Sequence, residues 1–268
     1  MPSPRAAELK ISSRKEKESN LISKTPLTPE HFREDHSNPY PFVVAIDGPA
    51  ASGKSTVSRL LAQRLGFLLL DTGALYRVMA LHLLRNGVSA EGGPISEAVL
   101  SSMDLRVEPE VGSMRLFLAG EDVSEVIRGD QIGSIASRFS ARPEVRRALL
   151  ELQRQIGAMG NVIAEGRDMG TVVFPDAAVK FFVCADLRER AGRRYRELVQ
   201  RGEQTTLEEV LEDMRQRDER DESRKEAPMV QAPDAISVDT TGLDPEQVVE
   251  QLLSHIARKR SALPGGRE

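Results

Sequence analysis

The sequence predicts an α/β protein: a three-layer P-loop domain with a central parallel sheet and a small antiparallel β insertion. Three observations predict it. Short apolar runs recur along the chain, each followed by a polar loop and then by apolar residues at helical spacing. Gly48–Ser55 fits G-x-x-x-x-G-K-[ST] between the first such run and such a helix. One segment alternates with the period of two that a half-buried hairpin requires.

Residues 1–40 are rich in Ser, Pro, Lys and Glu, with isolated apolar residues and no sustained period, too little apolar surface to offset the entropy of ordering. They read as a disordered tail, and the basic cluster from Arg14 to Lys17 fits a solvated segment better than a partner site. Phe42–Ile46 reads as a buried strand, Thr56–Leu65 as a helix, and Phe67–Leu70 as a second strand that runs into a helix through Asp71–Arg77. Leu105-Arg106-Val107 and Met114–Leu118 alternate around Glu108–Ser113, so an antiparallel insertion is expected within about Met103–Ile127. Val162–Ala164, Val179–Ala185 and Ala235–Val238 read as further buried strands. Arg188–Arg201 carries six arginines on a helix-forming background, and Thr205–Glu222 continues as charged helix.

At 268 residues the chain is long enough for one or two domains with a core that needs no staples. No apolar run approaches the roughly 18 residues of a bilayer crossing, which excludes a membrane partner of that kind. The single cysteine, Cys184, has no internal disulfide partner and reads as core, and the absence of a secretory signal pattern points to the cytoplasm. Lys and Arg number 37 against 41 Asp and Glu, a net charge of −4, so no global field draws the protein onto nucleic acid. Aromatic residues at 4% with no Trp likewise weigh against a nucleic-acid remodeller. His31, His36, His82 and His255 show no metal-ligand spacing.

The chemistry concentrates in Gly48-Pro49-Ala50-Ala51-Ser52-Gly53-Lys54-Ser55-Thr56. Glycines let successive N–H groups turn inward around phosphate oxygens, and the helix beginning near Lys54 adds the positive end of its dipole. The Lys54 ammonium reaches the β- and γ-phosphates, and Ser55 is placed to hold Mg²⁺. A nucleoside triphosphate ligand follows from this motif; switch, kinase or remodeller does not. No N-K-x-D guanine reader is present, and Asp239-Thr240-Thr241-Gly242, which fits a loose D-x-x-G, reads as a turn.

A kinase of small molecules needs a second pocket, and guanidinium forks grip an acceptor phosphate well. Arg77 lies one turn into a helix at the sheet edge, although taken alone it fits a surface arginine better. Glu165-Gly166-Arg167-Asp168-Met169-Gly170 sets opposite charges between glycines after a buried strand, which suits a site loop. Arg217–Arg224, taken alone, fits a solvated and self-paired helix face.

Taken together, Ile46–Pro49 with Gly53–Ser55, Asp71–Arg77, Glu165–Pro175 and Arg217–Arg224 resemble bacterial cytidylate kinases, over about Pro41 to Lys259. The resemblance implies a kinase domain at 41–260 with a flexible C-terminus at 261–268, an acceptor region at about 72–138 enlarged by an insertion at about 99–138, and a helical lid at about 188–203. It implies transfer of a phosphoryl group from ATP to CMP or dCMP in pyrimidine metabolism, by a monomer. Ser137, Arg146 and Asp168 match residues around the cytosine ring. Thr72, Arg77, Arg167, Arg217 and Arg224 match groups around the acceptor phosphate, and Asp221 a sugar-hydroxyl contact. Arg193 and Arg194 match lid arginines that close over the donor, which with Lys54 are the expected catalytic groups. Glu165 stands where Asp or Glu is usual, with no role that follows from the sequence. A kinase for another nucleoside monophosphate, or a non-catalytic P-loop switch, are the alternative readings.

The base assignment is physically coherent. Cytosine presents O2 and N3 as acceptors and N4 as donor, which an arginine and a carboxylate complement. Uracil reverses two of these and is expected to be a poor acceptor.

Overall fold

The computed structural model describes residues 41–110 and 112–262. The expected tail at 1–40 lies outside the described residues, as does the C-terminus beyond Ala262. In chain order the elements are β1 (Val43–Asp47), α1 (Lys54–Leu65), β2 (Leu68–Asp71), α2 (Thr72–Arg85), the short α3 (Glu97–Ser101), β3 (Leu105–Glu110), β4 (Ser113–Leu118), β5 (Glu121–Asp122), α4 (Asp130–Ser140), α5 (Pro143–Gly157), β6 (Val162–Glu165), β7 (Val179–Cys184), α6 (Leu187–Gln200), α7 (Leu207–Ser223), β8 (Ile236–Asp239) and α8 (Pro245–Ser261). A turn of 3₁₀ helix at Val126–Arg128 and a π-helical turn at Met169–Val173 complete them.

Five strands form one sheet in the order β2-β6-β1-β7-β8, and every pairing is parallel. Period-two alternation gives each strand two apolar faces. Val43, Ala45, Leu68, Leu70, Val162 and Ala164 join the core beneath α2, α4 and α5, whereas Val44, Ile46, Leu69 and Ile163 join the core that includes Leu61 of α1 and Leu252 of α8. Wholly buried side chains such as Leu61, Leu70 and Leu75 each contribute about 1.5–3 kcal/mol by leaving water. The expected insertion is the antiparallel sheet β3-β4-β5, whose Leu105, Val107, Leu116 and Leu118 extend the first core. Among the described residues no helix is long and apolar enough to cross a membrane.

Helix ends follow local chemistry. Asp71 caps α2 by accepting from Ala74 N at 3.0 Å, and Gly66, left-handed at φ 64°, stops α1. Capping boxes start α7 (Thr206, Glu209) and α8 (Asp244, Gln247). Thr206 therefore caps α7, and that helix begins later than the charged pattern suggests. α1 begins two residues earlier than its apolar period, because Gly53 at φ 90° ends the loop immediately before Lys54. α8 extends to Ser261, so this residue of the expected flexible C-terminus is helical. The Asp239–Gly242 segment is a turn, as expected, with Gly242 at φ 70°.

Strand order positions the site. From β1 the chain crosses to β2 on one side, and from β6 it passes over β1 to β7 on the other. The order thus reverses around β1, and a crevice opens beyond the C-terminal ends of the strands there. Gly48 enters that crevice at φ 142°, and a Cβ on it would stand 2.0 Å from Val183 O. Gly48→Ala is expected to destabilise the fold by at least about 2 kcal/mol, through strain and a backbone clash that no side chain can relieve; urea denaturation of the variant checks this.

Candidate active site

The loop from Gly48 to Gly53 is held by its carbonyls. Pro49 O accepts from Lys54 Nζ, Ala50 O from Arg190 Nη1 at 3.2 Å, and Ser52 O from Thr240 Oγ1 at 2.9 Å. A trans peptide points its N–H opposite to its C=O, so fixing the carbonyls of Ala50 and Ser52 aims the Ala51 and Gly53 amides the other way. Ala51 at φ 55° and Gly53 at φ 90° supply the left-handed turns such a nest needs. Lys54 is buried, and that burial lowers its pKa well below the ordinary value, with Arg167 adding to the effect against Glu165 and Asp47. Ser55 opens α1 beside Lys54, and its hydroxyl lies near enough to the Glu165 carboxyl to lower its pKa; Thr56 follows it into the first turn.

Opposite this loop, Thr72, Arg77, Ser137, Arg146, Arg167, Asp168, Arg217, Asp221 and Arg224 line a single hollow. They come from α2, α4, α5, the loop after β6, and α7 with its C-cap. Arg167 Nε donates to Asp221 Oδ2 at 3.0 Å, Arg146 pairs with Asp168, and Arg224 Nη2 reaches the same carboxylate at 3.4 Å. Thr72 Oγ1 donates to Glu165 O at 2.8 Å, while Ser137 Oγ is buried without a partner.

Taken alone, the segment Arg217–Arg224 reads as a solvated face, and the structure corrects this. Asp221 is buried and Arg217 is half-buried with its Nε enclosed, while Arg215 pairs outside with Glu212 and Glu219, because residues four apart share a helix face and residues two apart do not. Arg77 too is largely buried rather than a surface arginine.

Arg193 and Arg194 of α6 diverge. Arg193 donates to Thr240 O at 2.8 Å and Thr240 Oγ1 at 3.1 Å, and its Nη1 lies 3.7 Å from where a Gly53 Cβ would stand. Arg194 instead pairs with Asp130 and Glu197, and its charge acts on Arg77 and Arg217. Both were expected over the donor; consecutive residues on a helix point about 100° apart, so only one faces the P-loop. α6 and α7 pack through Ala191, Leu198, Val210 and Met214, with Ala50 and Ala51 of the loop beneath them.

Positive charge is in excess here. Burial lowers the Arg217 pKa to about 10, helped by the neighbouring Arg167, and its Nε has no partner. Burial would raise Asp221, but Arg167, Arg217 and Arg224 outweigh it and hold that carboxyl below its usual range. Asp168 is raised, because desolvation outweighs the pull of Arg146 and Arg224.

Three buried residues escaped sequence reasoning. Asp47 accepts from Met169 N and Gly170 N, each at 2.8 Å, and so joins the end of β1 to the loop that carries Asp168; burial pushes it up to about 6 against those bonds. Its only signal is a charge at the end of an apolar strand. Thr240, buried in the turn after β8, ties Arg193 to Ser52. Gln153 interrupts the apolar face Val145, Leu149, Ile156 of α5, a legible break in the helical period. Glu165, named without a role, is pushed up to about 7 by burial and by Asp71, against Lys54 and the Ser55 hydroxyl. Among the described residues no His, Cys, Asp and Glu cluster suits a metal, and His82 bonds Val99 O at 2.8 Å.

A nest of amides and a buried lysine at the end of β1, facing a guanidinium-lined hollow across a parallel sheet, define a P-loop phosphotransferase. Residues 44–258 match the sequence model described as cytidylate kinase. A cytidylate kinase of Geobacter sp. (strain M21) is 47% identical over 220 residues, covering 82% of this chain and 94% of the relative. One from Carboxydothermus hydrogenoformans is also 47% identical over 220 residues, covering 82% and 99%. The chain belongs to the cytidylate kinase family. A solved structure from Thermus thermophilus aligns over 82% of this chain and 98% of its own at 21% identity and a TM-score of 0.42.

A raised carboxyl costs stability once pH exceeds its ordinary value, about 4.5 for Glu165, and the cost grows until pH reaches about 7. Glu165→Gln cannot ionise. Thermal midpoints of the ligand-free proteins should therefore show wild type falling relative to the variant between about pH 5 and 7, with a constant gap above.

Proposed function

We propose that this chain transfers the γ-phosphoryl group of ATP to CMP and dCMP, reversibly, giving ADP with CDP or dCDP. The observation that carries the reading is the enclosed and unpartnered Nε of the half-buried Arg217, in a hollow where Arg77 and Arg167 add cations and an anion is the missing partner. In this reading the acceptor phosphate is gripped by Arg77, Arg167, Arg217 and Arg224 with the Thr72 hydroxyl, Asp221 holds a sugar hydroxyl, and Ser137, Arg146 and Asp168 read the base. The region at about 72–138 is the acceptor side, and the lid at about 188–203 covers the donor.

The transition state of phosphoryl transfer is loose, with charge spread over the moving group, so cations and in-line positioning supply most of the acceleration. The amides of the Gly48–Gly53 loop and Lys54 take the donor phosphates. Arg193 on the donor side and Arg194 on the acceptor side bracket the moving group. The acceptor oxygen is ionised near neutral pH, so no general base is assigned. The lid packed on Ala50 and Ala51 excludes the water that would otherwise hydrolyse ATP.

Magnesium fits the donors present. Ser55 lies near Glu165, whose Oε2 is buried without a partner, and oxygen ligands of this kind suit a hard cation. Mg²⁺ held by Ser55 and Glu165 would offset charge on the donor phosphates.

ADP release coupled to a spectrophotometric assay should depend on added CMP, and UMP should be poorer by about 10²–10⁵ in kcat/KM, because its O4 and N3–H leave Asp168 and Arg146 unpaired. Release independent of any acceptor would overturn the reading in favour of a nucleotide-binding switch. Lys54→Met should lower kcat by at least about 10²-fold with the fold intact. Asp168→Ala should chiefly collapse the CMP:UMP ratio, and a ratio left unchanged removes Asp168 from base reading. Arg217→Ala should raise KM for CMP about 10²-fold, with KM for ATP far less affected.

A further inference from the structure

The hollow at the acceptor site measures about 70 Å³, well short of the roughly 300–1,000 Å³ of sites that take small organic ligands. It is small because Arg146 and Asp168 close on one another, with Arg224 on the same carboxylate at 3.4 Å. A base that uses both Arg146 and Asp168 must part them. A second cavity, of about 260 Å³, adjoins the first, and Arg146 and Tyr76 line both.

Gln153 forms part of the wall of that second cavity and is 1% exposed. Both of its amide atoms are buried without a hydrogen-bond partner. The amide acts electrostatically on the Tyr76 hydroxyl but makes no hydrogen bond of acceptable geometry with it. Each such unmet group is destabilising, and the adjoining wall at Leu150, Val172 and Val173 would accept an apolar side chain without that penalty. The amide is therefore provided for a partner that arrives in another state. Of the charged groups on this wall, Arg147 and Glu226 are exposed, and Arg146 is the buried one. Arg146 is also the group that must move. Its guanidinium lies 5.6 Å from the centre of the Tyr76 ring, a face that supports a cation in more than one position along it.

We infer that Gln153 is the positioning residue that receives Arg146 when the nucleotide enters. The guanidinium withdraws from Asp168 toward the second cavity, donates one N–H to Gln153 Oε1, and keeps others for the base, a division that its five donors permit. Asp168 is thereby freed for the base amino group. This inference rests on the base reading proposed above and adds the group that makes room for it.

Gln153→Leu, close in volume and without the amide, should raise KM for CMP about tenfold while kcat at saturating CMP and KM for ATP stay within about twofold. Gln153→Glu keeps an acceptor oxygen and should recover most of that loss. Leu leaving KM for CMP unchanged, or Leu and Glu raising it equally, overturns the inference, as does a parallel change in KM for ATP, which would mark a general packing role. A crystal structure of the wild type with CMP gives a second readout that survives a misfolded variant: Arg146 within about 3.2 Å of Gln153 Oε1 supports the inference, and an amide out of contact with Arg146 overturns it. A CMP:UMP ratio unmoved by Asp168→Ala sinks the base reading itself, whereas a ratio that collapses there beside an unmoved KM in Gln153→Leu sinks only the role of Gln153.

Discussion

Five guanidinium groups, Arg77, Arg146, Arg167, Arg217 and Arg224, surround a hollow that contains two carboxylates, Asp168 and Asp221. Removing cations from water is costly unless anions repay the lost hydration, and two carboxylates cannot repay five. Arg146 and Arg224 share Asp168, Arg167 takes Asp221, and Arg217 is left with a bare Nε. The surplus favours an anionic ligand, and the folded chain maintains it because the residues that impose it are carried by packed helices and by the loop after β6.

The two anion sites hang from neighbouring strands. β1 delivers the loop at Gly48, and β6, paired beside it, delivers Gly166, Arg167 and Asp168. Asp47 then crosses from the first strand to the second loop through two amide bonds. On the other flank Thr240 makes a comparable junction, with Ser52 on one side and Arg193 on the other. Each of these residues thus ties one loop of the crevice to a separate element of the chain.

Much of the fold is legible in the sequence, because buried parallel strands need unbroken apolar runs and Val44–Ile46, Val162–Ala164 and Phe181–Cys184 are such runs. The glycine-rich loop is legible for the same kind of reason: left-handed turns at fixed spacing restrict residue choice. The arginines on α7 are not legible one by one. Arg215 and Arg217 look alike in composition, and only the rotation of α7 against α6 sends one to solvent and the other inward. Long-range partners such as Asp47 with Gly170, separated by more than a hundred residues, leave no local periodic trace at all. Gln153 lies between these extremes, since the break in the α5 face can be seen in the chain but the cavity it faces cannot.

The pairing of Ile46 with Glu165 across β1 and β6 has a metrical consequence. Adjacent strands stand about 4.8 Å apart and each residue advances about 3.3 Å along them, so the ladder works as a ruler between the end that presents one phosphate and the end that presents the other. A slip of one rung would shift that interval by about 3.3 Å and exchange the side chains that the strand sends to the two cores. The span over which a phosphorus atom must travel is accordingly written in the alignment of hydrogen-bonded backbones, beneath any contact that the side chains make.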